Sequence, residues 1–139
     1  MLLGLGGLLP ALAACLVAIA DPVEWRGHAA MVCATYDATI LSFLGGAWWG
    51  LAARGDGVRS LGTVLAVSVL PALAAWGALL IDRGGGLMLI GLLFLATLPG
   101  DAWLMRGRLA PAWWLRLRVP LSLGMAALAL ATGMATMRA

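Results

Sequence analysis

Lysine is absent from these 139 residues, charged side chains of every kind make up only 11%, and the chain holds one histidine and two cysteines. Each scarcity removes a class of protein. Soluble domains are nearer a quarter charged, and a chain that is 63% hydrophobic could not hide its apolar surface in a water-soluble fold of this size. His28 lies in a polar stretch with Asp21 and Glu24 upstream, and no histidine falls inside an apolar run where it could ligate haem. Cys15 and Cys33 have no His or Cys partner at metal-ligand spacing. They read as small buried residues at neighbouring helix ends, where a disulfide is geometrically allowed but not required. No phosphate loop, dinucleotide fingerprint or nucleophile elbow occurs. The sequence therefore implies no metal, no cofactor and no catalytic residue, and the chain is not expected to be an enzyme.

What remains is apolar sequence in long runs. At about 20 residues per crossing, the chain reads as an all-α polytopic membrane protein, a single transmembrane helical domain over 1–139 with spans near 2–20, 29–53, 61–81, 85–105 and 120–137. Asp21-Pro22 ends the first run, since proline cannot continue the hydrogen-bond ladder. Ala18-Ile19-Ala20 resembles a signal-peptidase site, but no basic residue precedes Leu2, so a retained first helix is expected. Pro71 falls inside the third span. The fourth is apolar for only a short run before Pro99-Gly100, where a kink or break is expected. The connection to the fifth span is the longest, with Pro111 at a plausible first helical position.

All nine cations are arginine, and their distribution suggests topology rather than nucleic acid. Arg54, Arg59, Arg106, Arg108, Arg116 and Arg118 fall on one side of a five-span chain, against Arg26, Arg83 and Arg138 on the other. Six against three places the N-terminus and both arginine-rich connections inside. Trp48, Trp49, Trp103, Trp113 and Trp114 cluster at that same boundary.

The second span carries the most information. Projected at 100° per residue, Thr35, Thr39, Ser42, Gly46, Trp49 and Gly50 share one face, opposite Ala30, Cys33, Asp37, Leu41, Leu44 and Trp48. Small residues such as Ser42, Gly46 and Gly50 suit a helix-helix seam. Asp37 lies about 12 Å along the helix, where a charge costs about 2.5 to 3.5 kcal/mol on insertion scales. It must be protonated, paired or facing water. Tyr36, Thr39 or an arginine from the outer turn are its candidate partners, in a proton or cation site or in a structural hydrogen bond. With a seam on one face and Asp37 on the other, this helix should be central in the bundle or part of an oligomer interface. Asp101, beside Pro99-Gly100, could pair with Arg106 or Arg116 and fix a turn.

The segment Trp113-Trp114-Leu115-Arg116-Leu117-Arg118 mixes aromatic anchors with guanidinium groups, a pattern for lipid headgroups or a partner as well as for topology. Arg116 and Arg118 are two residues apart and so point to different sides of a helix, one toward lipid and one toward the bundle.

The runs Thr39-Ile40-Leu41-Ser42-Phe43-Leu44-Gly45-Gly46-Ala47-Trp48-Trp49-Gly50-Leu51, Pro71-Ala72-Leu73-Ala74-Ala75-Trp76 and Pro111-Ala112-Trp113-Trp114-Leu115-Arg116-Leu117-Arg118 with Pro120-Leu121 resemble the transmembrane-protein-69-like family, also catalogued as domain of unknown function 3429, of proteobacteria and mitochondria. The resemblance implies a small multi-pass protein of the bacterial inner (cytoplasmic) membrane and carries no established activity. It also implies a small uncharged residue where this chain has Asp37. The expected function is that of a structural or accessory subunit binding a larger membrane complex or lipid, its partners being the bilayer, a membrane protein or a second copy, and not nucleic acid. The competing expectation is a small oligomeric transporter or channel that uses Asp37.

Overall fold

A chain this apolar must satisfy its backbone hydrogen bonds internally, and helix does so within each segment. The computed structural model describes residues 6–20, 24–53 and 61–138. Helices α1 (Leu9–Ala20), α2 (Arg26–Ala53), α3 (Leu61–Leu79), α4 (Arg83–Arg106) and α5 (Trp114–Met137) follow in order, and no strand occurs among the described residues. Helices α2 to α5 are long and apolar enough to cross a membrane. The 19 residues of α3 extend about 28 Å and the 24 of α4 about 36 Å, against a hydrocarbon thickness of about 30 Å.

Several features differ from the sequence-based expectation, among them the start of α2 at Arg26 rather than near 29. Helix α1 covers 12 described residues, about 18 Å, rather than the whole of 2–20, and residues 1–5 lie outside the described part. Helix α4 runs unbroken through Pro99. Its start is fixed by Asp82, whose carboxylate accepts the Gly85 N–H at 2.8 Å, so one of the unpaired donors of the first turn is satisfied. Helix α5 begins at Trp114 rather than at Pro120. The carbonyl that Pro120 cannot bond is that of Arg116, an exposed residue, so the missing ladder bond can be made good outside the bundle.

Sorting of side chains is the reverse of that in a soluble bundle. Phe43, Leu70, Leu73, Trp76, Leu80 and Leu92 point outward, while Asp37, Ser68, Thr97, Asp101, Arg118, Ser122 and Thr132 are buried. Hydrocarbon outside and polar groups inside is the arrangement a bilayer selects, since lipid receives leucine at no cost and charge only at a high one. Helix α2 touches all four others, and α4 and α5 pack along the longest shared face. Leu41, Leu87, Ile90, Phe94 and Met125 fill the centre.

Close approach of α2 and α3 depends on Gly45. A Cβ there would run into the Ser68 carbonyl oxygen of α3. Gly46 and Gly50, the expected seam residues, have nothing within 4 Å of where a Cβ would sit, and Ser42 is also exposed. The seam within this chain thus runs through the neighbouring glycine. Leu41, Leu44, Gly45 and Trp48 are buried on one side of α2, while Thr39, Ser42, Gly46 and Gly50 on the other side are exposed among the described residues.

Candidate functional site

Two sets of buried polar side chains lie along the bundle, each centred on an aspartate with no exposed surface. The first is at the arginine-rich end, where α2 and α4 finish and α5 begins. Thr97 and Asp101 are four apart on α4, and Trp114 and Arg118 are four apart on α5, so each pair shares a helix face. Asp101 Oδ1 accepts the indole N–H of Trp48 at 2.8 Å and that of Trp114 at 2.7 Å. Its Oδ2 accepts Arg118 Nε–H at 3.0 Å. The Arg118 Nη2 group reaches Thr97 Oγ1 at 3.4 Å, and that hydroxyl in turn donates to the Phe94 carbonyl at 2.7 Å. Three helices are therefore tied through one carboxylate. Gly100 makes room, since a Cβ there would enter the six-membered ring of Trp48.

Several expectations are corrected by this arrangement. Asp101 pairs with Arg118, not with Arg106 or Arg116, both of which are exposed. Trp114 is half-buried with its indole N–H bonded inward to Asp101, while Trp113 is exposed beside it, at 6.0 Å between ring centroids. Because α5 already includes Trp114, Arg118 stands a full turn after it on the inward side, while Arg116 points out. None of Trp48, Thr97, Trp114 and Arg118 was expected beside Asp101. The i,i+4 spacing of Trp114 and Arg118 was the signal, hidden by starting the last helix at Pro120.

The second set lies toward the other end. Cys33 Sγ donates to Asp37 Oδ2 at 3.6 Å and stands 3.8 Å from Thr132 Oγ1 of α5. One thiol proton therefore faces two acceptors. The Thr132 hydroxyl donates to the Leu128 carbonyl at 2.8 Å. Asp37 Oδ1 and the buried Ser122 hydroxyl have no hydrogen-bond partner among the described residues. The expected partners of Asp37 are engaged elsewhere: the Tyr36 hydroxyl donates to the Gly7 carbonyl at 2.6 Å, and Thr39 Oγ1, on the exposed face, donates to the Thr35 carbonyl at 2.9 Å. No arginine of the described residues forms an ion pair with Asp37. Cys33 and Cys15 are both free and buried.

Between α4 and α5 the chain makes a tight cap. Arg108 N–H donates to the Met105 carbonyl at 3.0 Å and Leu109 N–H to the Leu104 carbonyl at 2.9 Å, the paired bonds of a Schellman motif. The residue that must then be left-handed is Arg108, at φ 57°, where an L side chain costs about 1 to 2 kcal/mol. Beside it opens a cleft of about 520 Å³ lined by Leu51, Arg108, Pro111, Trp113 and Trp114, among others. A second groove of about 300 Å³, between α3 and α4, has Trp48, Pro71, Thr97 and Gly100 in its walls. Asp37 lines neither.

A family model for proteins of unknown function, DUF3429, matches residues 1–135. The chain belongs to the DUF3429 family. No curated protein and no solved structure matches it. For this DUF3429 member, the chemistry on view lies in the two carboxylates buried among the described residues, Asp37 and Asp101, and in its capped turn.

Proposed function

We propose that this chain is a non-catalytic accessory subunit of the bacterial inner membrane that binds lipid or a larger membrane complex through its arginine-rich, cytoplasmic end. The observation that carries the reading is the Asp101 junction. It holds three helices together at the end that bears exposed Arg106, Arg108 and Arg116, giving a rigid base beneath an outward cationic rim. Rigid support under adaptable contacts is what a docking surface needs. Orientation with that end inside follows the positive-inside bias. The test is purification in mild detergent followed by native mass spectrometry. A co-purifying protein or a retained lipid is expected, and a lone, lipid-free monomer overturns the reading.

One observation favours the competing reading of a small proton or cation transporter: Asp37 Oδ1 is sealed and unpartnered, as an intramembrane ion site would be between transport steps. Proteoliposome flux separates the two. Flux that Asp37→Asn abolishes supports transport, and flux unchanged by that substitution removes it.

A further inference from the structure

We infer that the cleft beside Arg108 is a binding site for the headgroup of an anionic phospholipid, a proposal that rests on the lipid-binding reading above and gives it a place and a charge. The first support is local electrostatics. From Asp101 to Pro120 the chain has four arginines and no further acid. Asp101 itself is committed to Arg118, and no carboxylate of the described residues lies within ion-pair distance of Arg108. A guanidinium on a cleft wall with no counter-charge among the described residues calls for an anion, and phosphate suits its planar fork.

Depth selects a lipid as the source. Trp113 lines the cleft and is 56% exposed, and Trp103 and Trp49 are exposed at the same end of the bundle. Indoles gathered at helix ends mark the headgroup level of a bilayer. The Trp113 N–H bonds to no described residue, leaving a second donor at the cleft. Trp114, on the same wall, is held in place by its 2.7 Å bond to Asp101, so the cleft has one fixed side and one adaptable side.

Backbone strain is the independent third support. Glycine is the residue suited to the left-handed position of this cap, and Gly107 stands immediately before it at φ −74°. A Cβ on Gly107 would make only ordinary contacts, 3.5 Å from the Trp103 carbonyl oxygen. The chain thus places glycine where a side chain fits and arginine where glycine fits. Strain of this kind is retained where the side chain it positions has a task, and here it directs Arg108 to the cleft.

The experiment uses the full chain in detergent, titrated with phosphatidylglycerol and with phosphatidylcholine of matched acyl chains and followed by native mass spectrometry. Phosphatidylglycerol should be retained more tightly, and Arg108→Gly should weaken it about fivefold while thermal stability is unchanged or raised, because the strain is relieved. Arg108→Gln, which keeps the backbone problem and removes the charge, should show the same weakening. Arg138→Gln, at the other end, should not. Undiminished phosphatidylglycerol binding by both Arg108 variants overturns the site, and equal retention of the two lipids overturns the headgroup class; in either case the accessory reading stands. Displacement of the lipid by inorganic phosphate in an Arg108-dependent manner overturns lipid as the source. Loss of all lipid and protein partners from the unaltered chain overturns both.

Discussion

Asp101 and Asp37 are equally hidden, each with no exposed surface, but their surroundings differ in kind. Asp101 takes two indole donors on one oxygen and a guanidinium on the other. Asp37 takes one thiol at 3.6 Å and leaves an oxygen bare. Thiols are weak donors. Burial alone therefore says little about what an aspartate contributes; the donors around it decide whether it holds the bundle together or is merely enclosed by it. In a bilayer the distinction is sharp, because no water reaches a group that the protein leaves unsatisfied.

The most severe way to break the comparison is to remove the Asp101 carboxylate. Asp101→Leu leaves the Arg118 guanidinium buried without its counter-charge, and the expected loss is about 3 to 5 kcal/mol, read as reversible unfolding in mixed micelles. The double variant Asp101→Leu with Arg118→Leu should recover much of that loss, because the desolvation of both charges disappears together. A double variant as unstable as the single one contradicts the ion-pair account. Packing should matter next. Gly45→Val drives a side chain into the Ser68 carbonyl of α3 and should cost about 1 to 3 kcal/mol, whereas Gly46→Val, one residue away, should stay within about 0.5 kcal/mol. Equal effects at the two glycines would mean that the exposed face of α2 is also packed, against a second copy or a partner.

Thinning the donors around Asp101 should cost less than removing its carboxylate. Trp114→Phe keeps the ring and removes a single N–H bonded to a carboxylate, so about 1.5 to 3 kcal/mol should be lost. The same substitution at exposed Trp113 should leave stability unchanged. If the two behave alike, Trp114 is an interfacial anchor after all.

How much of this was legible in the sequence depended on the range of the interaction. Helices α2 and α3 follow directly from apolar runs bounded by charge and glycine, and the shared face of Asp37, Cys33, Leu41 and Trp48 follows from the 100° projection of a single helix; that this face, rather than the one with Ser42 and Gly46, is the buried one does not. Pairings between helices did not follow. Which arginine meets Asp101 depends on where α5 begins, and a proline at 120 is a poor guide to that when the carbonyl it frees belongs to an exposed residue. The packing glycine was misplaced by one residue because Gly45 and Gly46 are adjacent, and only the neighbour across the gap, Ser68, tells them apart. The strained cap at Arg108 left no mark in composition or periodicity, since an Arg-Gly-Arg run looks like ordinary topology-setting charge.

Asp37 should give the smallest response, and that makes it the sharper half of the comparison. Asp37→Asn preserves shape and an acceptor for the Cys33 thiol, and takes no salt bridge apart. Stability should therefore change by less than about 1 kcal/mol. Asp37→Leu also removes a polar oxygen that nothing satisfies, so it should be neutral or stabilising if the enclosed space accepts the branched chain. The thiol then loses one of its two acceptors and keeps Thr132 Oγ1 at 3.8 Å. A loss from Asp37→Asn as large as that from Asp101→Leu would show that Asp37 has strong partners, and the difference between the two carboxylates would vanish. A stability-neutral Asp37→Asn that nonetheless stops proton or cation flux would leave the difference intact and give it a purpose: one aspartate holding the bundle together, the other left free to exchange its ion.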